Sequence, residues 1–425
     1  MGPDAVRDRI LEPSVVEEAF KYSVGVLKRL ISIPTVSPEG AHYREAAEYL
    51  ASEASTLGFN VQLVKVPESY QKANCKHAGA NPRYIVYAWK GDGVRVHFNG
   101  HYDVVPGGSG WTVTDPFTPK IVDGKLYGRG AIDMKGGIAA TLGAVKLLLL
   151  SGVKPEGVRL ELAFVPDEEI GGECGTGYLV SHVIDRIPEY VLIPEPSGLT
   201  SPWHGHKGAL WAHVTVKGKN AHASTPWRGV NAFLLASRLA LELHGRYTTL
   251  LSQRRTKYRI LPPEAGSPTV SIGGIAHVPG GGKTNQVPGE FTFSIDRRLI
   301  PEETVAQAKT EIEGLLRWLS IENGEIKYTV SYETEMEPAI NEPGPLYEAL
   351  RAAARTVGVE VEEPVVCPGG LDMWYYTTRG SKALSYGPSG ETAHEPDEHI
   401  DLEEFRKLIQ IYALTIIDLA SRVSA

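Results

Sequence analysis

Apolar positions along the chain fall into two rhythms, one of strand length and one of helical spacing. Val94–Phe98 is a short β-branched run that ends at Gly100, with His101 and Asp103 following at once. A second short run, Lys125–Tyr127, leads through Gly128 and Gly130 to Asp133, after which Gly136 and Gly137 open an apolar helix over Ile138–Leu150. Upstream, helical spacing predicts helices over Val15–Ile31 and Arg44–Leu57, then a strand over Asn60–Val66 and a polar, loop-like patch over Glu68–Pro82. Tyr84–Trp89 and Val94–Phe98 read as neighbouring strands across a tight turn at Gly91–Gly93. Val158–Val165 and Tyr190–Ile193 are two further buried strands, ending in Pro166-Asp167-Glu168-Glu169 and Pro194-Glu195-Pro196. Strands alternating with helices predict an α/β fold with a mostly parallel sheet covered on both faces.

The rhythm changes after Gly205. Ala209–Lys217 alternates like a half-exposed strand at the edge of a domain. A helix over Ala232–His244, strands over Thr269–Ile275 and Glu290–Leu299, a helix over Pro301–Ile321 and a strand over Lys327–Glu335 follow. That β-α-β-β-α-β order is the ferredoxin-like arrangement. An inserted α+β lid domain is therefore expected at residues 207–338, within a discontinuous larger domain of residues 1–206 and 339–425. The latter resumes with a helix over Tyr347–Val357, a loop over Glu391–His399 and a closing helix over Glu403–Ala420.

Composition narrows the class. With 425 residues, 42% hydrophobic and 22% charged, the chain has the balance of a globular protein of one large or two ordinary domains. A net charge of -8 argues against nucleic acid and anionic membranes as partners. The basic run Gln253–Arg259 therefore reads as a solvated face or a dimer contact. No apolar run is long enough to span a bilayer, and no N-terminal stretch looks like a secretory leader. Cys75, Cys174 and Cys367 are far apart and odd in number, so no disulfide framework is expected and a reducing cytoplasm fits. Cys174 reads as a small packing residue.

Candidate chemistry gathers at the strand ends. His101, Asp133, the Glu168-Glu169 pair, Glu195 and the late His394 form a donor set of imidazole and carboxylate without thiolate. That set suits zinc, manganese or cobalt in a catalytic site. One aspartate can bridge two ions, with a histidine and a carboxylate completing each. Asp103 is placed to accept the second N–H of His101 and fix its tautomer. Of the adjacent glutamates, Glu169 is assigned to metal and Glu168 to general base, although spacing alone does not order them. His204 and His206 flank the expected hinge and read as packing residues, and His399 as a cap or surface residue.

The segments GHYDVVP, GRGAIDMKGG, PDEEIGG, LIPEPSG and ETAHEPDE, in this order, resemble the dinuclear-metal amidohydrolase family of acetylornithine deacetylase, succinyl-diaminopimelate desuccinylase and carboxypeptidase G. The resemblance covers nearly the whole chain. It implies two zinc ions on His101, Asp133, Glu169, Glu195 and His394, with Glu168 as base, and a zinc-exopeptidase-like catalytic domain with a ferredoxin-like lid. It further implies a homodimer through the lid, with His222 of VKGKNAHASTP stabilising the oxyanion in the partner's site. Asn285 and Arg298 become candidates for gripping a substrate carboxylate, a match suited to a guanidinium fork, and Gly370 of GGLDMW resembles a substrate-side turn. The expected reaction is hydrolysis of an amide in an N-acyl amino acid or a short peptide with a free carboxylate. A carboxypeptidase or dipeptidase would use the same metals, and a non-catalytic carboxylate-binding or assembly protein is the reading from another class.

Overall fold

The computed structural model describes residues 3–342 and 344–424. Met1, Gly2, Pro343 and Ala425, which include both ends of the larger domain expected above, lie outside the described residues. The chain forms two compact units. One holds the chain up to His204, Asn341–Val365 and the chain from Leu371 onward; the other holds Gly205–Ile340 and Val366–Gly370.

In the first unit, strands run in the order Asn60–Lys65, Tyr84–Lys90, Val158–Val165, Val94–His101, Tyr190–Ile193 and Lys382–Ser385. The last four are mutually parallel and the first two antiparallel. Tyr84–Lys90 and Val94–His101 are therefore not paired, contrary to expectation: Val158–Val165 lies between them and hydrogen-bonds to both. A chain of buried apolar strands can insert a later strand between two early ones, and the Gly91–Gly93 turn does not forbid it.

The next two strands of this sheet in sequence, Val158–Val165 and Tyr190–Ile193, lie on opposite sides of Val94–His101. This is a topological switch point, where ligand crevices form at the carboxyl ends of strands. Helix Lys135–Ser151 is buried almost all round, as its uniformly apolar sequence requires. A side chain at Gly137 would fall 2.2 Å from the Pro194 carbonyl oxygen, so glycine lets the helix start lie against the Pro194-Glu195 strand end. The patch expected as loop carries a short helix, Glu68–Asn74. Its apolar content is too low for a periodic signal.

The second unit is a four-stranded antiparallel sheet in the order Thr269–His277, Glu290–Leu299, Gly208–Lys217, Lys327–Met336. Helices Ala232–Leu251 and Val305–Glu322 supply Leu239, Leu243, Ile312 and Leu316 to a core shared with Leu210, Val214 and Ile295 of the sheet. Gly208–Lys217 alternates between buried and part-buried positions as expected; it pairs on both sides, and the alternation arises because the helices cover one face.

Candidate metal centre

Three adjacent parallel strands end at one place in the first unit. His101 closes Val94–His101, Glu168 and Glu169 follow Val158–Val165, and Glu195 follows Tyr190–Ile193. Asp133 comes from the turn before helix Lys135–Ser151, and His394 from a late loop where its backbone is left-handed, with φ of 64°. Such backbone in a non-glycine residue is held only where surroundings over-determine it, commonly at functional sites.

The cluster is organised around Asp133. Its Oδ1 lies 3.1 Å from His101 Nε2, and its Oδ2 lies 3.1 Å from His394 Nε2. Glu195 Oε1 lies 3.4 Å from His101 Nε2, and Glu169 Oε1 lies 3.1 Å from His394 Nε2. One carboxylate thus faces two imidazoles, each with a second carboxylate at its side. Glu168 Oε2 stands at 4.0 Å from His101 Nε2. Donor atoms of His101, Asp133 and Glu169, and of His101, Glu168 and Glu195, lie within 4.8 Å of one another.

Charge balance fits cations here. Four carboxylates, Glu195 buried and Asp133, Glu168 and Glu169 partly buried, face two imidazoles, and charge withdrawn from water must be paired. Burial and then Glu195 push the Glu168 carboxyl well above its usual range, and burial and then Asp133 push Glu169 up and Glu195 up to about 8. Burial disfavours the charged His101 ring, but Glu195, Asp103 and Asp133 outweigh it and raise it well above the ordinary histidine value. Hydrogen bonds to Asp133 and Glu169 raise His394 to about 10. Divalent ions would supply the missing positive charge, and nitrogen and oxygen donors without thiolate suit zinc, cobalt or manganese.

Asp103 does more than the sequence suggested. His101 Nδ1 lies 3.0 Å from the Asp103 backbone carbonyl oxygen and 3.4 Å from its carboxylate. The carboxylate also accepts the backbone N–H groups of Glu168 and Glu169, at 3.3 Å each. The expected tautomer-fixing contact is therefore made chiefly by the carbonyl, because the carboxylate is shared with the glutamate turn.

Sequence reasoning missed the residues that hold this cluster from behind. Glu398, fully buried, accepts the N–H groups of Ile132 and Asp133 at 2.9 and 3.2 Å through one oxygen and pairs with Arg129 at 2.6 Å through the other. Arg129 also donates to the His394 carbonyl oxygen at 3.2 Å. Asp167, left-handed at φ of 66°, pairs with buried Arg83 and accepts from Tyr43 Oη at 3.0 Å. The available signal was charge in places that should be apolar or glycine-rich, such as Arg129 between two glycines.

His222, Asn285, Arg298 and Gly370 belong to the second unit. His222 and Asn285 are exposed neighbours there: Ala223 N–H donates to the Asn285 carbonyl oxygen at 2.9 Å. His222 Nδ1 accepts the Ser224 N–H at 3.1 Å, which leaves the ring proton on Nε2. Arg297, the neighbour of Arg298 on the strand, is fully buried, bonded to Tyr247 Oη at 2.9 Å and to Glu303 at 2.7 Å. Arg298 is half-exposed, with Asp296 engaging Nε at 2.8 Å and Nη2 at 3.0 Å. At Gly370 a Cβ would fall 2.3 Å from Met336 Sδ, so a side chain there would have to displace the end of that methionine.

The cysteine reading is corrected. Cys75 and Cys174 form a disulfide across 99 positions, so Cys174 is not a free packing residue and the cysteine argument for a reducing compartment lapses. Pairing depends on where helix Glu68–Asn74 ends in space, which spacing does not reveal. Among the described residues no helix is long and apolar enough to cross a membrane.

Comparison with known proteins agrees with this geometry. The family model described as Peptidase family M20/M25/M40 matches residues 97–418. An uncharacterized metallohydrolase of Methanocaldococcus jannaschii is 28% identical, over 94% of this chain and 98% of that protein. Succinyl-diaminopimelate desuccinylase of Paracidovorax citrulli is 27% identical, over 94% and 98%. Among solved structures, an M20 family metallo-carboxypeptidase from Sulfolobus solfataricus superposes with a TM-score of 0.73 at 21% identity, covering 94% of this chain and 99% of that one. A dipeptidase from Saccharomyces cerevisiae gives 0.74 at 16% identity, covering 98% of each chain. Those likenesses establish the fold, a mostly parallel catalytic sheet with a separate antiparallel lid. The chain belongs to the peptidase family M20/M25/M40 and is a metallohydrolase of that family.

Proposed function

We propose that this protein hydrolyses the amide bond of an N-acyl amino acid, with two divalent ions, zinc foremost, held by His101, Asp133, Glu169, Glu195 and His394. The carrying observation is Asp133, whose two oxygens each face a different histidine at 3.1 Å. When bound, the ions supply Lewis acidity, polarising the substrate carbonyl and lowering the pKa of water. Glu168 takes a proton from the attacking water and delivers it to the leaving nitrogen. His222, protonated on Nε2, donates to the oxyanion of the tetrahedral intermediate in a partner chain of a homodimer. Asn285 and the Nη1 of Arg298 hold the substrate carboxylate against the side-chain-free surface at Gly370.

The likeness to a desuccinylase favours acyl amino acids. A carboxypeptidase or dipeptidase would use the same centre and differ in the substrate pocket, because fold alone does not choose a substrate. The test is metal analysis of the purified protein, with turnover of N-acetyl-L-ornithine, N-succinyl-L,L-diaminopimelate and the dipeptide Gly-Leu. Two ions per chain and turnover of an acyl substrate are expected; turnover of Gly-Leu alone favours the peptidase. Glu168→Gln should keep its metal and lose turnover, and near-native turnover in that variant overturns the base assignment. A chain that binds no metal and cleaves none of the three is a carboxylate-binding or assembly protein instead.

A further inference from the structure

We infer that Asp372 is a positioning residue for Glu168, acting through Thr176 on the turn that carries the glutamate pair. The inference rests on the reading of Glu168 as the base. Asp372 is 3% exposed, and its Oδ2 accepts a hydrogen bond from Thr176 Oγ1 at 2.5 Å. Thr176 is fully buried and belongs to the irregular helical turn Glu173–Gly177, which follows the short turn Glu168–Ile170 after Gly171 and Gly172. Asn99 Nδ2 donates to Thr176 Oγ1 at 3.0 Å, and Asn99 Oδ1 accepts from Tyr376 Oη at 2.9 Å. Asn99 and His101 sit two residues apart on one strand and so face the same side of the sheet.

The grip extends to the glycines between the two turns. A Cβ on Gly172 would fall 2.3 Å from Asp372 Oδ1, so that carboxylate rests directly on the backbone there. Tyr375 Oη donates to the Gly171 carbonyl oxygen at 2.8 Å. The short helix Met373–Thr377 and its preceding residue thus hold the segment at Gly171, Gly172 and Thr176. Gly171 and Gly172 both have positive φ, at 110° and 77°, so this stretch has little stiffness of its own. Outside anchors must set where the preceding carboxylates point. A buried carboxylate kept only for packing would be replaceable by an apolar group at no loss; one that spends its oxygens on a catalytic turn would not be. A reacting group displaced by about 1 Å loses on the order of 10²-fold in rate.

The experiment compares Thr176→Val, Thr176→Ser and Asp372→Asn in the metal-loaded full chain, with N-acetyl-L-ornithine, N-succinyl-L,L-diaminopimelate and Gly-Leu as probes. Metal content, thermal unfolding and amide hydrogen exchange of the peptide spanning residues 165–178 are read alongside. Thr176→Val should lower kcat by about 10–10²-fold with KM little changed, keep its metal and exchange faster across that peptide. Thr176→Ser, which retains the hydroxyl, should restore both readouts, and Asp372→Asn should speed exchange even if Thr176→Val folds poorly. Unchanged exchange in both Thr176→Val and Asp372→Asn overturns the inference. So does a kcat loss that Thr176→Ser fails to rescue, or one that comes only with loss of metal. Failure of the base reading looks different: Glu168→Gln then turns over normally whatever Thr176 does. Normal turnover in Thr176→Val beside a dead Glu168→Gln overturns the positioning role alone.

Discussion

Arg83 donates from Nε to Asp167 Oδ2 at 2.7 Å, with side chains 0% and 2% exposed. Asp167 immediately precedes Glu168, so the pair anchors the entrance to the glutamate turn. Removing one partner leaves the other charge buried and unpaired, which typically costs about 3–5 kcal/mol. Arg83→Met should therefore lower the denaturation free energy by that order, measured by urea unfolding. It should also reduce turnover beyond the stability loss, measured well below the transition.

Glu398 carries a second prediction. It aligns the Asp133 backbone and pairs with Arg129, which in turn holds the His394 carbonyl. An amide in place of its carboxylate would set an NH2 group against either the guanidinium or the two backbone N–H donors. Glu398→Gln should weaken metal affinity by about 10–100-fold, as loss of groups that orient ligands usually does. Zinc titration of chelator-stripped protein measures it. The same stripping should abolish turnover in the native protein, and zinc, cobalt or manganese should restore it.

The disulfide gives a third. Closing a loop of roughly 100 residues is worth about 4.7 kcal/mol on the chain-entropy account, and Cys75–Cys174 spans 99 positions. Cys75→Ser, or reduction of the native chain, should lower the midpoint of thermal unfolding. Thiol titration in denaturant should find one reactive cysteine, Cys367, before reduction and all three after it.

His206 sets a pH dependence. It is fully buried, and burial lowers its pKa from 6.5 to about 4 against the weaker opposing pull of its Nδ1–H bond to the Lys207 carbonyl oxygen. Below pH 6.5 the unfolded chain takes up a proton that the folded chain refuses, so stability is full above that value and falls as pH drops towards 4. The loss attributable to this group is at most about 3 kcal/mol. Urea midpoints of native and His206→Asn proteins at several pH values check it: the variant, which keeps a donor but cannot titrate, should show the shallower slope.

The shared-site proposal is tested by mixing inactive His222→Ala and Glu168→Ala subunits. Hybrids should regain turnover if His222 acts on the partner's site, and stay inactive if each subunit is self-contained.

How far the sequence could be read depended on the kind of interaction. That His101, Asp133, Glu168, Glu169, Glu195 and His394 come together was legible because strand ends and glycine turns are local signals, and the parallel topology then brings strand ends together. The antiparallel lid was legible through periodicity and element order. Strand pairing was not: apolar runs such as Tyr84–Lys90 carry no address for their partner, and Val158–Val165 took the place beside both early strands. Which of Arg297 and Arg298 is buried was not legible, because alternation says that neighbours face opposite ways but not which side is core. Arg83, Glu398 and Asp372 escaped notice because their partners lie 84, 269 and 196 positions away.

The Cys75–Cys174 bond turns part of the backbone into a covalent ring. His101, Asp103, Asp133, Glu168 and Glu169 all lie inside it; Glu195 and His394 lie outside. A protease that cuts once anywhere within the ring would leave the pieces tethered, migrating as one species until a thiol reagent releases them.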